Sequence, residues 1–182
     1  MQVTPFETSV KKVAIIGPEC TGKSDLAEFL AGHYSTSWVS EYARGYLNTL
    51  NRPYEESDLI KIAHGQLRME DEWLSLANHV LICDTNLMVI KIWGEYKFGR
   101  CDNEIIQMMD NRSYDLHLLT YVDLPWEEDP LREHPNKREK LWSIYLAEME
   151  KSKMPYRIIQ GERKERRETA IEAIDELLGK SN

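Results

Sequence analysis

The chain has 182 residues, 42% apolar, 9% aromatic and 30% charged, which excludes disorder over most of its length and suffices for one core without disulfides or a structural metal. With 31 acidic residues against 23 basic ones the formal net charge is −8, which speaks against a surface built for nucleic acid but leaves room for a local basic pocket. Three cysteines (Cys20, Cys83, Cys101) without CxxC spacing read as reduced thiols, and the sequence shows neither a secretory signal nor a spanning segment, so a cytoplasmic protein is expected.

In chain order, residues 1–11 are polar and patternless and read as a flexible tail, leaving 12–182 as a single domain. Val13-Ala14-Ile15-Ile16 is a short apolar run ending at Gly17, as a buried strand would, and Leu26, Phe29, Leu30 and His33 then recur at helical spacing. A second short strand is expected over 37–40. A long helix is expected over 57–79, where Ile60, Ala63, Leu67, Leu74 and Ala77 share a face and Ser57 caps it. Val80-Leu81-Ile82-Cys83 is a third strand, ending at Asp84. Helices follow over 86–96 and 103–111, then a fourth strand over 116–122. A helix over 138–153, a fifth strand over 156–159 and a helix over 163–178, stopped by Gly179, complete the chain. Five short apolar strands alternating with helices predict an α/β fold with a doubly wound parallel sheet buried on both faces.

Gly17-Pro18-Glu19-Cys20-Thr21-Gly22-Lys23-Ser24 fits G-x-x-x-x-G-K-[ST] without mismatch, between an expected strand and an expected helix. The glycines let the backbone wrap closely, so that successive N–H groups face phosphate oxygens with the helix N-terminus behind them. ATP is the expected cofactor, held by Gly17, Glu19, Cys20, Thr21, Gly22, Lys23 and Ser24. Lys23 would reach the β- and γ-phosphates and the Ser24 hydroxyl would ligate Mg²⁺. Cys20 is either a filler of the loop or a thiol whose alkylation blocks nucleotide.

Asp84, at the end of the third strand, is placed to hold Mg²⁺ or its water, or else caps the next helix. Glu41, after the second strand, could take the proton of a substrate hydroxyl, with Arg44 one turn on to hold substrate or phosphate. The plainer alternative is a helix-start Glu with Arg44 on a solvated face. Residues 123–138, DLPWEEDPLREHPNKR, are too polar for core and too Pro-rich for regular structure, and suit a mobile lid. A lid arginine closing on the γ-phosphate offsets transition-state charge, with Arg132 the first choice and Arg138 the second. A merely solvated surface loop is the other reading.

Asp84-Thr85-Asn86-Leu87 is not the D-x-x-G of a GTPase, Asn136-Lys137-Arg138-Glu139 matches N-K-x-D only partly, and no LSGGQ is present. A small-molecule kinase and an ATP-binding regulator remain. Here several segments together resemble one family. GPECTGKS, SEYAR at 40–44, HGQ at 64–66, CDTN at 83–86 and PWEEDPLR at 125–132 are similar to the ribosylnicotinamide-kinase domain of NadR-type proteins, from about Lys12 to Leu178. The resemblance implies a P-loop NTPase fold with a five-stranded parallel sheet in the order 2-3-1-4-5. It also implies ATP- and Mg²⁺-dependent transfer of the γ-phosphate to the 5′-hydroxyl of nicotinamide riboside, giving NMN. The alternatives are a kinase of another nucleoside or nucleotide, or a regulatory ATPase.

The implied catalytic set is Lys23, Glu41, Asp84 and Arg132, with Glu41 the base and Asp84 its rival. The implied substrate site is Glu41, Tyr42, Arg44, Asp84, Asn86 and Trp126, and the partner a small-molecule nucleoside, with no nucleic acid or membrane. Little sequence precedes the phosphate loop, so the expectation is a kinase domain without the adenylyltransferase of full-length NadR proteins. In one respect the chain departs from the family: Ser40 stands where an aromatic residue is expected to stack on the pyridine ring, and Tyr42, Trp93, Tyr96 and Trp126 are the candidate replacements. The loop Ile159-Gln160-Gly161-Glu162-Arg163 fits the side of an adenine, or is simply a turn.

Overall fold

Alternation organises the sheet from its first strand. In the computed structural model, which describes residues 9–180, β1 (Lys11–Ile16) sends Val13 and Ile15 to one face and Ala14 and Ile16 to the other, all fully buried. Lys11, expected in the tail, is thus the first residue of the sheet. The rest of that tail through residue 8 lies outside the described residues. β1 pairs in parallel with β3 (Val80–Asp84) on one side and β4 (Leu116–Thr120) on the other. β2 (Trp38–Val39) flanks β3 and β5 (Tyr156–Ile159) flanks β4, giving the expected order β2-β3-β1-β4-β5.

Helices cover both faces, which is why the central strands are apolar throughout. On one face α1 (Lys23–Tyr34) and α7 (Arg163–Leu178) bring Leu26, Leu30, Ala170 and Ile174 against Val13, Ile15, Ile82 and Leu118. On the other, α4 (Leu87–Phe98) and α6 (Arg138–Ser152) set Met88, Ile92, Leu141 and Tyr145 on Ala14, Ile16 and Leu119. α3 (Glu56–Leu74) and α5 (Asn103–Asp110) add a further cluster through Leu59, Ile62, Leu87, Ile90 and Ile105. The chain leaves β1 toward β2 and β3 on one side and later crosses to β4 on the other. The carboxyl end of β1 is therefore a topological switch point, where doubly wound sheets open a crevice. Among the described residues no helix is long and apolar enough to cross a membrane.

Three expectations about elements are corrected. α3 starts before Ser57 and ends before His79. Its start is locked by Asp58, whose buried carboxylate accepts from Glu55 N (2.8 Å), from Tyr46 Oη (2.8 Å) and from the Arg52 fork (2.7 and 2.9 Å). The apolar spacing continues to Ala77, but Lys11 N donates to His79 O (2.9 Å), and the chain must be extended there to enter β3. β4 stops at Thr120, two residues early, and the second strand has only two residues. α2 (Tyr42–Asn48) answers to the reading of Glu41 as a helix-start residue, although seven residues with Gly45 among them show no periodicity. Tertiary contacts hold it: the Tyr42 ring lies on Gly65 of α3, where a Cβ would stand 2.1 Å from Tyr42 Cε1, and Gln66 Oε1 accepts from Tyr42 N at 3.0 Å.

Candidate active site

The loop between β1 and α1 is pinned from beneath. Gly17 has φ 141°, and a Cβ there would fall 2.4 Å from Thr120 Oγ1 and 2.8 Å from Thr120 O, so the end of β4 admits only glycine. Thr21 is buried; its hydroxyl donates to Pro18 O (2.8 Å) and lies 2.7 Å from Thr120 Oγ1. Cys20 (φ 55°) and Gly22 (φ 75°) adopt the left-handed conformation that curls successive amides into an anion-binding concavity, with Gly22 as the N-cap of α1. Lys23 Nζ donates to Pro18 O at 2.7 Å, folded over the loop.

Ser24, on the first turn of α1, donates through Oγ to Asp84 Oδ2 at 2.5 Å. Asp84 is buried at the end of β3, and its other oxygen, Oδ1, is buried with no hydrogen-bond partner. Burial pushes this carboxyl above its ordinary range; Lys23, the Ser24 hydroxyl and Arg44 act against it. An orphaned carboxylate oxygen beside a serine hydroxyl fits a hard cation, and Mg²⁺ takes its remaining ligands from water and phosphate. Among the described residues no group of three or more His, Cys, Asp or Glu could hold a metal alone.

Glu41 precedes α2 at the mouth of the same cleft. Burial raises its carboxyl, the charges of Asp84 and Glu19 raise it further, and Lys23 and Arg44 oppose them. Arg44, one turn along, donates to Asp129 Oδ2 at 2.8 Å, reaching across to the segment between β4 and α6. That segment rests on the phosphate loop. The Glu19 carboxylate accepts from Glu133 N (3.0 Å) and His134 N (3.1 Å), and Cys20 Sγ accepts from Glu127 N (3.2 Å). Arg132 donates to Glu127 O, and Arg138 donates to Cys20 O (3.1 Å) and Leu124 O (2.9 Å).

The cleft has a volume of about 920 Å³. It is lined by the phosphate loop, by Glu41 and by the aromatic side chains of Tyr54, Trp93 and Tyr96. There Trp93 Nε1 donates to Tyr54 Oη (2.9 Å), and Glu133 accepts from Tyr54 Oη (2.6 Å) and Lys97 Nζ (2.7 Å). Several basic residues of the cleft are paired: Lys97 with Glu133, Arg52 with Asp58, and Arg44, beside Glu41, with Asp129.

The structure brings together the loop residues with Glu41, Arg44 and Arg132 in the cleft lining, with Asp84 reached through Ser24, and leaves three other expected substrate residues outside that lining. Asn86 is buried and caps α4: its Oδ1 accepts from Met88 N (3.0 Å) and its Nδ2 lies 3.3 Å from His117 Nε2. Tyr42 is spent on Gly65. Trp126 lies under the guanidinium groups of Arg132 and Arg138 (5.9 and 5.7 Å), its Nε1 bonded to Glu128 Oε1 at 3.0 Å. Arg138 holds loop carbonyls instead of facing the cavity as a free cation. Sequence reasoning missed Tyr54, Lys97 and Glu133, which lie far apart in the chain. It also missed Arg166, whose only signal was its place just after the Gly161 turn.

A family model described as AAA domain matches residues 12–166. The chain is similar to the Trifunctional NAD biosynthesis/regulator protein NadR of Escherichia coli (strain K12), 28% identical over 98% of this chain and 45% of that protein. The protein of the same name from Salmonella typhimurium is 33% identical over 72% of this chain and 32% of its own length. The chain therefore spans less than half the length of these curated relatives. A solved NadR protein in complex with NR superposes with a TM-score of 0.78 at 20% identity, covering 94% of this chain and 52% of the other, and shares the fold.

Proposed function

The chain belongs to the AAA domain family, and from that premise we propose that it transfers the γ-phosphate of ATP to the 5′-hydroxyl of nicotinamide riboside, giving the mononucleotide. One juxtaposition carries the reading. The phosphate loop and the carboxyl of Glu41, raised by burial, share a cleft that is also lined by the aromatic side chains of Tyr54, Trp93 and Tyr96. An aromatic wall suits a cationic pyridine ring, with Trp93 and Tyr96 standing in for the aromatic that Ser40 replaces. The names of the relatives, with NAD biosynthesis in one and NR in a complex of the other, point to the same acceptor.

In this reading the loop amides and Lys23 hold the β- and γ-phosphates. Glu41 accepts the proton of the 5′-hydroxyl, whose oxygen forms the new bond to the γ-phosphorus as the bond from that phosphorus to the β–γ bridging oxygen breaks, and ADP leaves. A carboxyl raised by burial is a stronger base than an ordinary one once ionised. Asp84 is the lesser candidate for this role, being held by Ser24. Ser24 and Asp84 would hold Mg²⁺, which when bound neutralises charge on the phosphate oxygens. Residues 123–138 act as the lid, and Arg132, whose guanidinium bonds the Glu127 carbonyl and lies over Trp126, turns to the γ-phosphate. Catalysis is then positioning and charge stabilisation.

The test is a panel of acceptors compared by kcat/KM with ATP: nicotinamide riboside, deoxynucleosides, nucleoside monophosphates and water. The riboside should lead. A monophosphate preferred over every nucleoside contradicts the reading.

A further inference from the structure

We propose that Arg166 is a positioning residue of the phosphate loop: it holds the Thr21 carbonyl and so fixes the direction of the Gly22 N–H toward the phosphates. The inference rests on the nucleotide-binding reading and adds a residue that touches the loop at one main-chain carbonyl.

Arg166 lies on the first turn of α7 and is 5% exposed. Its Nη1 donates to Thr21 O (2.9 Å), its Nη2 to Tyr121 O (2.9 Å) and to the Asp123 carboxylate, and its Nε to Gly161 O (2.8 Å). Asp123 in turn accepts from Gly161 N. Three loops, those after β1, β4 and β5, therefore converge on one guanidinium, all three of whose nitrogens are committed within the protein. Arg138 grips the preceding carbonyl, that of Cys20, at 3.1 Å. Two consecutive carbonyls of the turn are thus held by arginine side chains.

A trans peptide is planar, and its C=O and N–H point in opposite directions. A Thr21 carbonyl bound to Arg166 on one side thus sends the Gly22 N–H to the other, the concave side of the loop. Gly22, at φ 75°, has no side chain to oppose rotation of that peptide, so an outside group has to hold it. The Thr21 side chain is already engaged with Pro18 and Thr120. Only a planar fork reaches three carbonyls and a carboxylate at once; an ammonium group in the same place keeps the charge and loses the geometry.

The experiment titrates the full chain with ADP and with inorganic pyrophosphate, in magnesium chloride, by calorimetry, for the wild type, Arg166→Lys and Arg138→Lys, with unliganded melting curves and far-ultraviolet dichroism alongside. We expect Arg166→Lys to fold and to bind both ligands about tenfold or more weakly, with Arg138→Lys weakening both several-fold. Losing affinity for pyrophosphate, which has no base, separates the loop from the neighbouring Gly161 turn. An Arg166→Lys protein that melts lower yet binds pyrophosphate like the wild type has only a structural arginine and overturns the inference. If that variant does not fold, Arg138→Lys decides, and unchanged pyrophosphate affinity there overturns the inference. A wild type that binds neither ligand overturns the nucleotide reading itself, and the inference with it.

Discussion

Ser24 Oγ donates to Asp84 Oδ2 across 2.5 Å, joining the start of α1 to the end of β3, and Asp84 Oδ1 is left buried without a partner. Without a cation this carboxylate is a cost: burial raises its pKa in the folded state, so keeping it ionised at neutral pH takes away stability. Asp84→Asn should therefore melt at or above the wild-type temperature without ligands, while the Mg²⁺ concentration for half-maximal turnover rises about tenfold or more. Melting curves and magnesium titrations of activity check both halves. A destabilised variant with unchanged metal dependence makes Asp84 structural.

Glu41 faces Lys23, Arg44, Asp84 and Glu19, and burial sets the direction of its shift. As a base it works only when ionised, so activity should fall as pH drops through a pKa above the usual carboxylate range. Glu41→Gln should lower kcat about 100-fold or more with little change in the KM for ATP, and abolish that acid limb. Profiles of kcat/KM against pH for the two proteins are the measurement. A defect confined to KM moves Glu41 from proton transfer to binding.

Far from the cleft, Glu70 of α3 is buried and accepts from Tyr114 Oη at 2.8 and 2.9 Å. Burial pushes its carboxyl up to about 7; the Tyr114 hydroxyl, Lys12 and Arg112 pull against this and Asp71 adds to it. The folded protein keeps this proton at pH values where the unfolded chain has released it. Stability should thus decline as pH rises from the ordinary glutamate range toward about 7, by an amount on the order of 3 kcal/mol if no relaxation intervenes. Glu70→Gln should match the wild type near pH 5 and exceed it near pH 8 in denaturant melts. Parallel curves for the two proteins would remove Glu70 from the pH dependence.

The Arg44–Asp129 pair is exposed and spans α2 and the β4–α6 segment. Such pairs contribute only about 0–1 kcal/mol, so Asp129→Asn should leave global stability nearly untouched. Amide hydrogen exchange of residues 127–134 should quicken several-fold, because Glu19 and Cys20 then hold the segment with one tie fewer. Unchanged exchange there means that the pair does not restrain the lid.

The phosphate loop and the central strands were legible because each is a local pattern: a contiguous motif, and apolar runs that both faces of a parallel sheet demand. Asp84 and Glu41 followed from their places at strand ends. What the sequence hid was tertiary. Asn86 looks like a site residue beside Asp84, yet its amide serves the α4 terminus and His117, and only the fold sets which way it faces. Tyr42 sits in a motif-like stretch, but a glycine 23 positions later gives its ring a seat. Trp126 shares a segment with Arg132 and is turned to guanidinium groups instead of the cavity. Arg166 and Thr120 bear on the loop from across the sheet, and no local spacing marks them.

The central claim is that phosphate passes from ATP to a nucleoside hydroxyl. Phosphorus NMR of a reaction containing ATP, Mg²⁺ and nicotinamide riboside follows it directly, with Lys23→Ala as the blank. The expected result is ADP and nicotinamide mononucleotide appearing in equal amounts, with neither in the blank. Inorganic phosphate formed in step with ADP, and no phosphorylated riboside, would contradict the account.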